Sequence, residues 1–325
     1  MLGQIILRLL RLVPNNTHIG FMRWRKLAFA WTLFVVLGSL ASMWLTGLNL
    51  GLDFVGGILI EVRSASTIDL VKLRAQLGSL GLGETSLQVF GGGMDLMIRV
   101  QTAANGGSQE QAVAAIASVM HPDFEILRTE FLGPQVGQEF LRSGILATLL
   151  AIMLIGIYVW VRFDWQFGLS AVVTMLHDVI ATFGLLSLFR LEFNLIIVAA
   201  ILTIAGYSIN DTVVLFDRVR ENLRRFKTMP ITALIDLSVN QCLARTVMTC
   251  CTTLLAVLAL LVFGGPVLRD FSLALAWGLL VGTYSSVFIS SALLLHLPSL
   301  RQARDREDEN PVGPPSATRS PTGSI

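Results

Sequence analysis

The stretch Leu195-Ile-Ile-Val-Ala-Ala-Ile-Leu-Thr-Ile-Ala-Gly-Tyr-Ser-Ile-Asn-Asp-Thr-Val-Val-Leu-Phe216 decides how the rest of the chain is read. It is apolar over the roughly 20 residues that a helix needs to cross a bilayer. Near one end it carries Asp211. An ionisable group inside a spanning helix is costly, so it normally faces protein or water and has a task there. With a rise of about 1.5 Å per residue, Asp211 lies about 8 Å from the midpoint near Ala205. The stretch reads as a membrane span whose carboxylate is either functional or a polar contact between helices.

Five further stretches have the same character, near Leu27–Leu45, Gly144–Val161, Phe167–Leu188, Val247–Phe263 and Phe271–Leu295. Apolar residues make up 54% of the chain and charged residues 14%, which excludes a soluble domain of this size. Arg8, Arg11, Arg23, Arg25 and Lys26 precede the first span, and Arg218, Arg220, Arg224, Arg225 and Lys227 separate the fourth from the fifth. The short loops on the other side hold only Arg190 and Arg269. Cytoplasmic flanks carry the excess of Lys and Arg, so both termini are expected in the cytoplasm. The net charge of +2 follows from this topology and gives no reason to expect nucleic acid. Cys242, Cys250 and Cys251 all fall in or near the fifth span, where no disulfide is expected. A cleaved signal peptide is not expected, because the first span starts late and is too long.

About ninety residues separate the first two spans, far too many for a connector. Leu50–Arg63 reads as a strand. Thr67–Leu80 reads as a helix with Leu70, Leu73, Leu77 and Leu80 in a stripe, and Thr67 and Asp69 mark its start. Thr85–Phe90 and Met94–Gln101 read as strands around the turn Gly91-Gly92-Gly93. Ser108–Met120 reads as a helix with Val113, Ile116 and Met120 inward, and Phe124–Phe131 as a last strand. The order βαββαβ is that of a ferredoxin-like split βαβ unit. The fold class is therefore a polytopic α-helical membrane protein. Six transmembrane helices carry a ferredoxin-like α+β external domain between spans one and two. The expected parts are a basic N-terminal segment over 1–26, the first span over 27–48 and the external domain over 49–142. The rest of the bundle fills 143–297, and a Pro- and Ser-rich disordered tail fills 298–325. Residues 1–20 also read either as a short basic amphipathic stretch suited to lying on membrane lipid or as a frayed terminus.

Several groups can carry chemistry. Thr203, Tyr207 and Asp211 share a helical face, with Gly206 and Asn210 alongside. Arg245 stands at the start of the fifth span on the same side of the membrane, and Thr249, Thr252 and Thr253 continue its face. The two charges read either as a coupling pair or as a polar helix contact and a snorkelling arginine. His177 and Asp178 lie near the middle of the third span, as a relay or an interhelical network. No HExxH, nucleophilic triad or phosphate loop is present, so no metal, no cofactor and no enzymatic reaction is expected. Gly278 and Gly282 form a GxxxG, read as packing.

Separated motifs then point one way. They are Phe21-Met-Arg-Trp-Arg-Lys26, Gly51-Leu-Asp-Phe-Val-Gly-Gly57, Leu132-Gly-Pro-Gln-Val-Gly-Gln-Glu139 and His177-Asp178. Gly206-Tyr-Ser-Ile-Asn-Asp-Thr-Val-Val214, Asp217-Arg-Val-Arg-Glu-Asn222 and Phe263-Gly-Gly-Pro266 complete the set. Together they make residues 21–297 resemble the SecF family of bacterial protein-export membrane proteins, in the resistance-nodulation-division superfamily. The resemblance implies an inner-membrane subunit that pairs with a SecD-type subunit and uses the proton motive force to assist export. Its further partners would be the Sec translocon and the exported polypeptide. It implies proton-coupling roles for Asp211 and Arg245. It also makes Phe54, Gly56, Gly57, Gly133 and Pro134 elements that join the external domain to the spans. The rival readings are half of a small-molecule efflux transporter of the same superfamily, and an intramembrane hydrolase using His177, Asp178 and Asp211.

Overall fold

A computed structural model describes residues 17–64, 68–81, 85–90, 94–100, 109–120 and 124–297. Among the described residues, six helices are long and apolar enough to cross a membrane. They are α1 (Arg25–Thr46, after a 3-10 turn), α5 (Pro134–Arg162), α6 (Trp165–Leu188), α7 (Leu195–Arg225), α8 (Ile231–Phe263), and α9 (Gly265–Tyr284) with its continuation. The continuation is a π-helical turn, Ser285–Ser290, and then α10 (Ser291–His296). The third, fourth and sixth spans are the buried ones, and α1, α5 and α8 keep most of their surface open. Small residues set the spacing. A Cβ on Gly184 of α6 would fall 2.0 Å from Ser39 Oγ of α1, and one on Gly278 would fall 2.3 Å from Ile204 of α7. Phe167 stacks edge-on against Phe216 at 5.0 Å between ring centroids, closing the arginine-rich end of the core.

Helix limits differ from the sequence expectation at the fourth and fifth spans. The helix α8 starts at Ile231 rather than near Val247, and α7 runs on to Arg225. These extensions pack on each other through Asn222, whose amide donates to Ser238 Oγ and Gln241 Oε1, both at 2.9 Å. Side chains therefore hold the two helices together beyond their apolar stretches. Arg245 consequently lies well inside a helix and not at its start.

The external sheet has the order β3-β4-β2-β5, antiparallel throughout, with β2 (Gly57–Ser64), β3 (Thr85–Phe90), β4 (Asp95–Val100) and β5 (Phe124–Leu132). Ile58, Ile60 and Val62 alternate onto one face of β2 and meet Leu73 and Leu77 of α3 (Leu70–Gly78). Ile116 and Met120 of α4 (Gln109–Met120) complete that core. This is the ferredoxin-like arrangement that the order of elements implies. Asp69 caps α3 by accepting from the Val71 and Lys72 amides. The Gly91-Gly92-Gly93 turn, Thr67, most of the amphipathic N-terminal stretch and the tail from 298 lie outside the described residues.

The expected strand over Leu50–Arg63 is broken in the structure. Asn49–Leu50 (β1) pairs in parallel with Glu192–Phe193 (β6), in the loop between α6 and α7. Then Leu52–Val55 makes one helical turn (α2) before β2 begins. The glycines explain the break. Gly56 and Gly57 have φ of 79° and 148°, and a Cβ on Gly57 would fall 2.4 Å from the Val100 carbonyl oxygen. Only glycine permits that turn and approach. The turn buries Phe54 against Phe193, 5.0 Å between ring centroids. Gly133, in contrast, is extended with open space around it, and Pro134 starts α5 directly. Arg99 of β4 and Glu192 of β6 meet across the junction of the domain and the bundle. Burial pushes the Glu192 carboxyl above its ordinary range, Arg99 opposes this, and Asp270 and Asp53 reinforce it.

Two expectations follow from these contacts. Gly184→Ala should cost about 1–3 kcal/mol by overpacking against Ser39. Ser39→Gly in the same chain should recover part of it, read as thermal stability in detergent. Additive effects of the two changes would contradict this contact. The second expectation concerns pH. The docked junction holds the Glu192 proton more tightly than an exposed glutamate, which titrates near about 4.3. Linkage then makes the group's contribution to docking full below that value and lost as pH rises through the raised one. Hydrogen exchange at β1 and β6, corrected for the intrinsic pH dependence, should show protection falling over that window. Glu192→Gln should flatten the dependence, and a flat profile in the unaltered chain would refute the assignment.

Candidate functional site

Asp178 is fully buried where the three buried spans meet. Its Oδ2 accepts from Ser208 Oγ of α7 at 2.6 Å and from Ser285 Oγ of the sixth span at 2.9 Å. Its Oδ1 lies 3.0 Å from His177 Nδ1, which donates when the proton is on that nitrogen. Gly282 makes room, since a Cβ there would fall 3.2 Å from Ser208 Cβ and 3.7 Å from Asp178 Oδ2. The small pair Gly278 and Gly282 is thus packing within this chain. Gly278 admits Ile204, and Gly282 admits the carboxylate and its serine.

The π-helical turn extends this polar seam. Each π-helical bond spans one residue more than an α-helical one, and such turns are rare and concentrated at functional positions. Here it places consecutive serines, Ser285 and Ser286, against α6 and α7. Ser286 Oγ donates to the Ser208 carbonyl at 3.2 Å and pairs with Thr212 Oγ1 at 2.9 Å. Ser170 Oγ of α6 donates to the Ser290 carbonyl at the end of the turn, 2.9 Å away. Hydrogen bonds to a carboxylate are the stronger kind. A hydrogen bond to a charged group is worth about 1.5–3 kcal/mol. These contacts therefore fix the relative depth of three helices.

Asp211 lies on a different side of α7, toward α8. It is 3% exposed, and its Oδ2 has no hydrogen-bond partner. Arg245 and Thr249 of α8 are the groups that act on it. Yet no ion pair within 4 Å joins Asp211 to Arg245 among the described residues. The Thr249 hydroxyl donates instead to its own helix, to the Arg245 and Thr246 carbonyls at 3.1 and 3.0 Å. The Tyr207 hydroxyl one turn away is also buried without a partner. Beside this cluster the molecule is open, because Thr203, Gly206, Asn210, Arg245 and Thr252 are exposed. The cluster is half-built, with a carboxylate, a phenol and a guanidinium gathered along one edge and none of them fully satisfied.

The structure therefore separates the residues singled out in the sequence into three places. Tyr207, Asn210, Asp211 and Arg245 gather along the α7–α8 edge. His177 and Asp178 lie in the buried seam. Phe54, Gly56 and Gly57 lie at the junction with the external domain, with Gly133 and Pro134 at the start of α5. Sequence reasoning missed Ser208 and Ser285 as partners of Asp178, and Thr212 and Ser286 as the pair that extends the seam beside them. The run of serines after Gly282 was the only trace of them. Among the described residues, no group of three or more His, Cys, Asp or Glu side chains converges. Cys242, Cys250 and Cys251 are free thiols.

The comparisons with known proteins match this architecture. The family described as protein export membrane protein SecD/SecF, C-terminal, matches residues 112–299, and the SecD/SecF GG motif matches residues 41–68. A protein translocase subunit SecF from Rickettsia felis is 44% identical over 288 residues, 88% of this chain and 94% of that protein. One from Rickettsia bellii is 44% identical over 289 residues. The crystal structure of SecDF, a translocon-associated membrane protein from Thermus thermophilus, superposes with a TM-score of 0.77 at 35% identity over 88% of this chain. A second SecDF structure, in a super-membrane-facing form, gives 0.68 at the same identity. The chain spans 39% of the length of the Thermus protein. With a family match over most of its length and relatives matched nearly end to end, the chain belongs to the SecF group of the SecD/SecF protein-export membrane proteins.

Proposed function

We propose that this multi-pass membrane protein is the SecF-type subunit of a SecD–SecF assembly. It would assist protein translocation across the bacterial inner membrane by using the proton motive force, with both termini in the cytoplasm. The observation that carries this reading is the half-built cluster at the α7–α8 edge. An incompletely partnered, buried Asp211 beside an open row of polar groups does not suit contact with lipid tails. It suits a second protein half that supplies the missing partners, and a SecD-type subunit is that half. The relatives are named as translocase subunits, which is not an enzymatic role.

The proposed cycle needs little beyond what the chain holds. Asp211 takes up and releases a proton, and its attraction to Arg245 weakens when it is neutral. The helices α7 and α8 then shift, and the external domain follows. The direct run of β5 into α5 and the pairing of β1 with β6 carry the motion to a bound polypeptide. One charge crossing about 100 mV releases about 2.3 kcal/mol. Coupling between sites typically takes about 1–3 kcal/mol, so the supply is sufficient. His177 and Asp178 act in this reading as the interhelical network that keeps α6, α7 and the sixth span together.

The two aspartates should therefore fail differently. Asp211→Asn should leave assembly and thermal stability near those of the unaltered chain, while export stimulation and proton flux both fall to background. Asp178→Ala should cost about 1–3 kcal/mol of stability for each buried donor it leaves unpaired, with export falling in step with the amount of folded protein. Unchanged flux and export in a well-assembled Asp211→Asn protein would sink the proposed function.

A further inference from the structure

Where α5 ends and α6 begins, two features meet that the proposed function does not use. The first is an apolar groove of about 610 Å³ between these helices, lined among others by Met153, Ile157, Trp160, Trp165 and Leu169. All five are exposed in the bundle. Two glycines shape it. A Cβ on Gly168 would fall 2.9 Å from Trp160 Cβ, and one on Gly156 would fall 2.4 Å from Val172 Cγ2. The helices thus touch at the bottom of the groove while their larger side chains spread at its rim. Two tryptophans stand at the end of the groove, in the position that such side chains favour at a membrane–water boundary.

The second feature is a polar cavity of about 590 Å³ at the same end, lined by Arg162, Asp217, Arg220, Glu221, Arg224 and Arg225. The guanidinium of Arg220 reaches the Arg162 carbonyl at 3.4 Å, which sets the end of α7 against the α5–α6 turn. Arg162 and Arg225 lie over Phe163 and Phe226, at 5.2 and 5.3 Å from the ring centroids. Glu221 is engaged by Arg218, at 2.7 Å. Among the described residues, none of the four arginines has a carboxylate within 4 Å. The C-terminal dipole of α7 accounts for cations in its last turn, at Arg224 and Arg225. The dipole of α5 accounts in the same way for Arg162 in that helix's last turn, and neither dipole accounts for Arg220 further back.

We propose that these features form one binding site for an anionic phospholipid. The headgroup phosphate is held by Arg162, Arg220, Arg224 and Arg225, and an acyl chain lies in the groove behind Trp160 and Trp165. Charge complementarity selects the occupant. Arginines facing a cavity at the bilayer edge suit phosphate, which planar guanidinium groups bind through two parallel hydrogen bonds. Basic pockets between spanning helices are known sites for anionic headgroups. The adjoining groove selects a lipid over a soluble phosphate, because its walls are apolar and open to the membrane. Such a lipid would join α5, which carries the external domain, to α7, which carries Asp211.

Native mass spectrometry tests the site on the full chain purified with its SecD-type partner. The delipidated complex is titrated with phosphatidylglycerol, with phosphatidylcholine of the same acyl chains, and with glycerol phosphate. The unaltered complex should bind one phosphatidylglycerol at least about tenfold more tightly than phosphatidylcholine. Arg220→Gln with Arg224→Gln should lower that affinity by about tenfold or more and remove the preference. Leu169→Trp, which fills the groove, should weaken phosphatidylglycerol and leave glycerol phosphate unchanged. Equal affinity for the two lipids in the unaltered complex would overturn the proposal without recourse to any variant. So would glycerol phosphate binding as tightly as the lipid, or unchanged lipid affinity in the arginine variant. Binding to the isolated chain but not to the complex would assign the cavity to the partner protein, and would equally overturn it.

Discussion

The hydrogen bonds to Asp178 constrain the rest of the bundle. A carboxylate with no exposed surface tolerates its position only if its oxygens are occupied, and here the donors come from three helices. A slide of one residue along any of them would move a serine by about 1.5 Å and leave a charge in the membrane interior with a partner missing. Helix association in lipid lacks the hydrophobic drive that operates in water, so packing and hydrogen bonds set the depth of each helix. Gly184, Gly278 and Gly282 supply the close approach, and Asp178 fixes the register. The π-helical turn belongs to the same arrangement, because it aims Ser285 and Ser286 at different partners in successive positions.

From this fixed centre the outer helices depart in different ways. The helix α1 is tied to α6 by Ser42 and Thr46, both bonded to Ser187, and to the sixth span by Tyr284. The helix α5 begins where β5 ends, separated by Gly133 alone. Since Gly133 has an ordinary extended backbone, its identity does not mark a strained hinge. The tight glycines are Gly56 and Gly57, on the other connection, where β1 is also paired to β6. The external domain is thus attached rigidly on one side and through a single extended residue on the other. Motion of α5 would reach the sheet through β5, while β1 holds the opposite side to the bundle.

Much of this was legible in the sequence, for identifiable reasons. Spans of apolar residues announce themselves because lipid accepts little else, and the alternation in Ile58, Ile60 and Val62 reports a one-sided sheet. Asp211 was legible because a charge in an apolar run is conspicuous. Its partners were less so. Arg245 falls on the expected helix and side, but the spacing of residues in one helix says nothing about rotation against another, and no ion pair closes. The serines that hold Asp178 were unreadable for a different reason. Serine in a membrane helix serves equally for packing and for hydrogen bonding, and only the fold shows that Ser208 and Ser285 converge. The α2 turn was missed because alternating apolar residues around Phe54 mimic a strand, and the override comes from Gly56 and Gly57.

The contrast between the two aspartates argues for a division of labour. Asp178 is accommodated completely, with Ser208 and Ser285 donating to one oxygen and His177 beside the other. Such a group sets geometry. Asp211 is accommodated only in part, with one oxygen lacking a hydrogen-bond partner, Arg245 nearby in no ion pair among the described residues, and an open polar edge. A switch requires two states of similar free energy, with an input that prefers one of them. A fully satisfied carboxylate cannot meet that condition, and a partly satisfied one can. The seam fixes α6 against α7 and the sixth span, so under the proposed function any rearrangement at Asp211 would have to be taken up on the α8 side of α7.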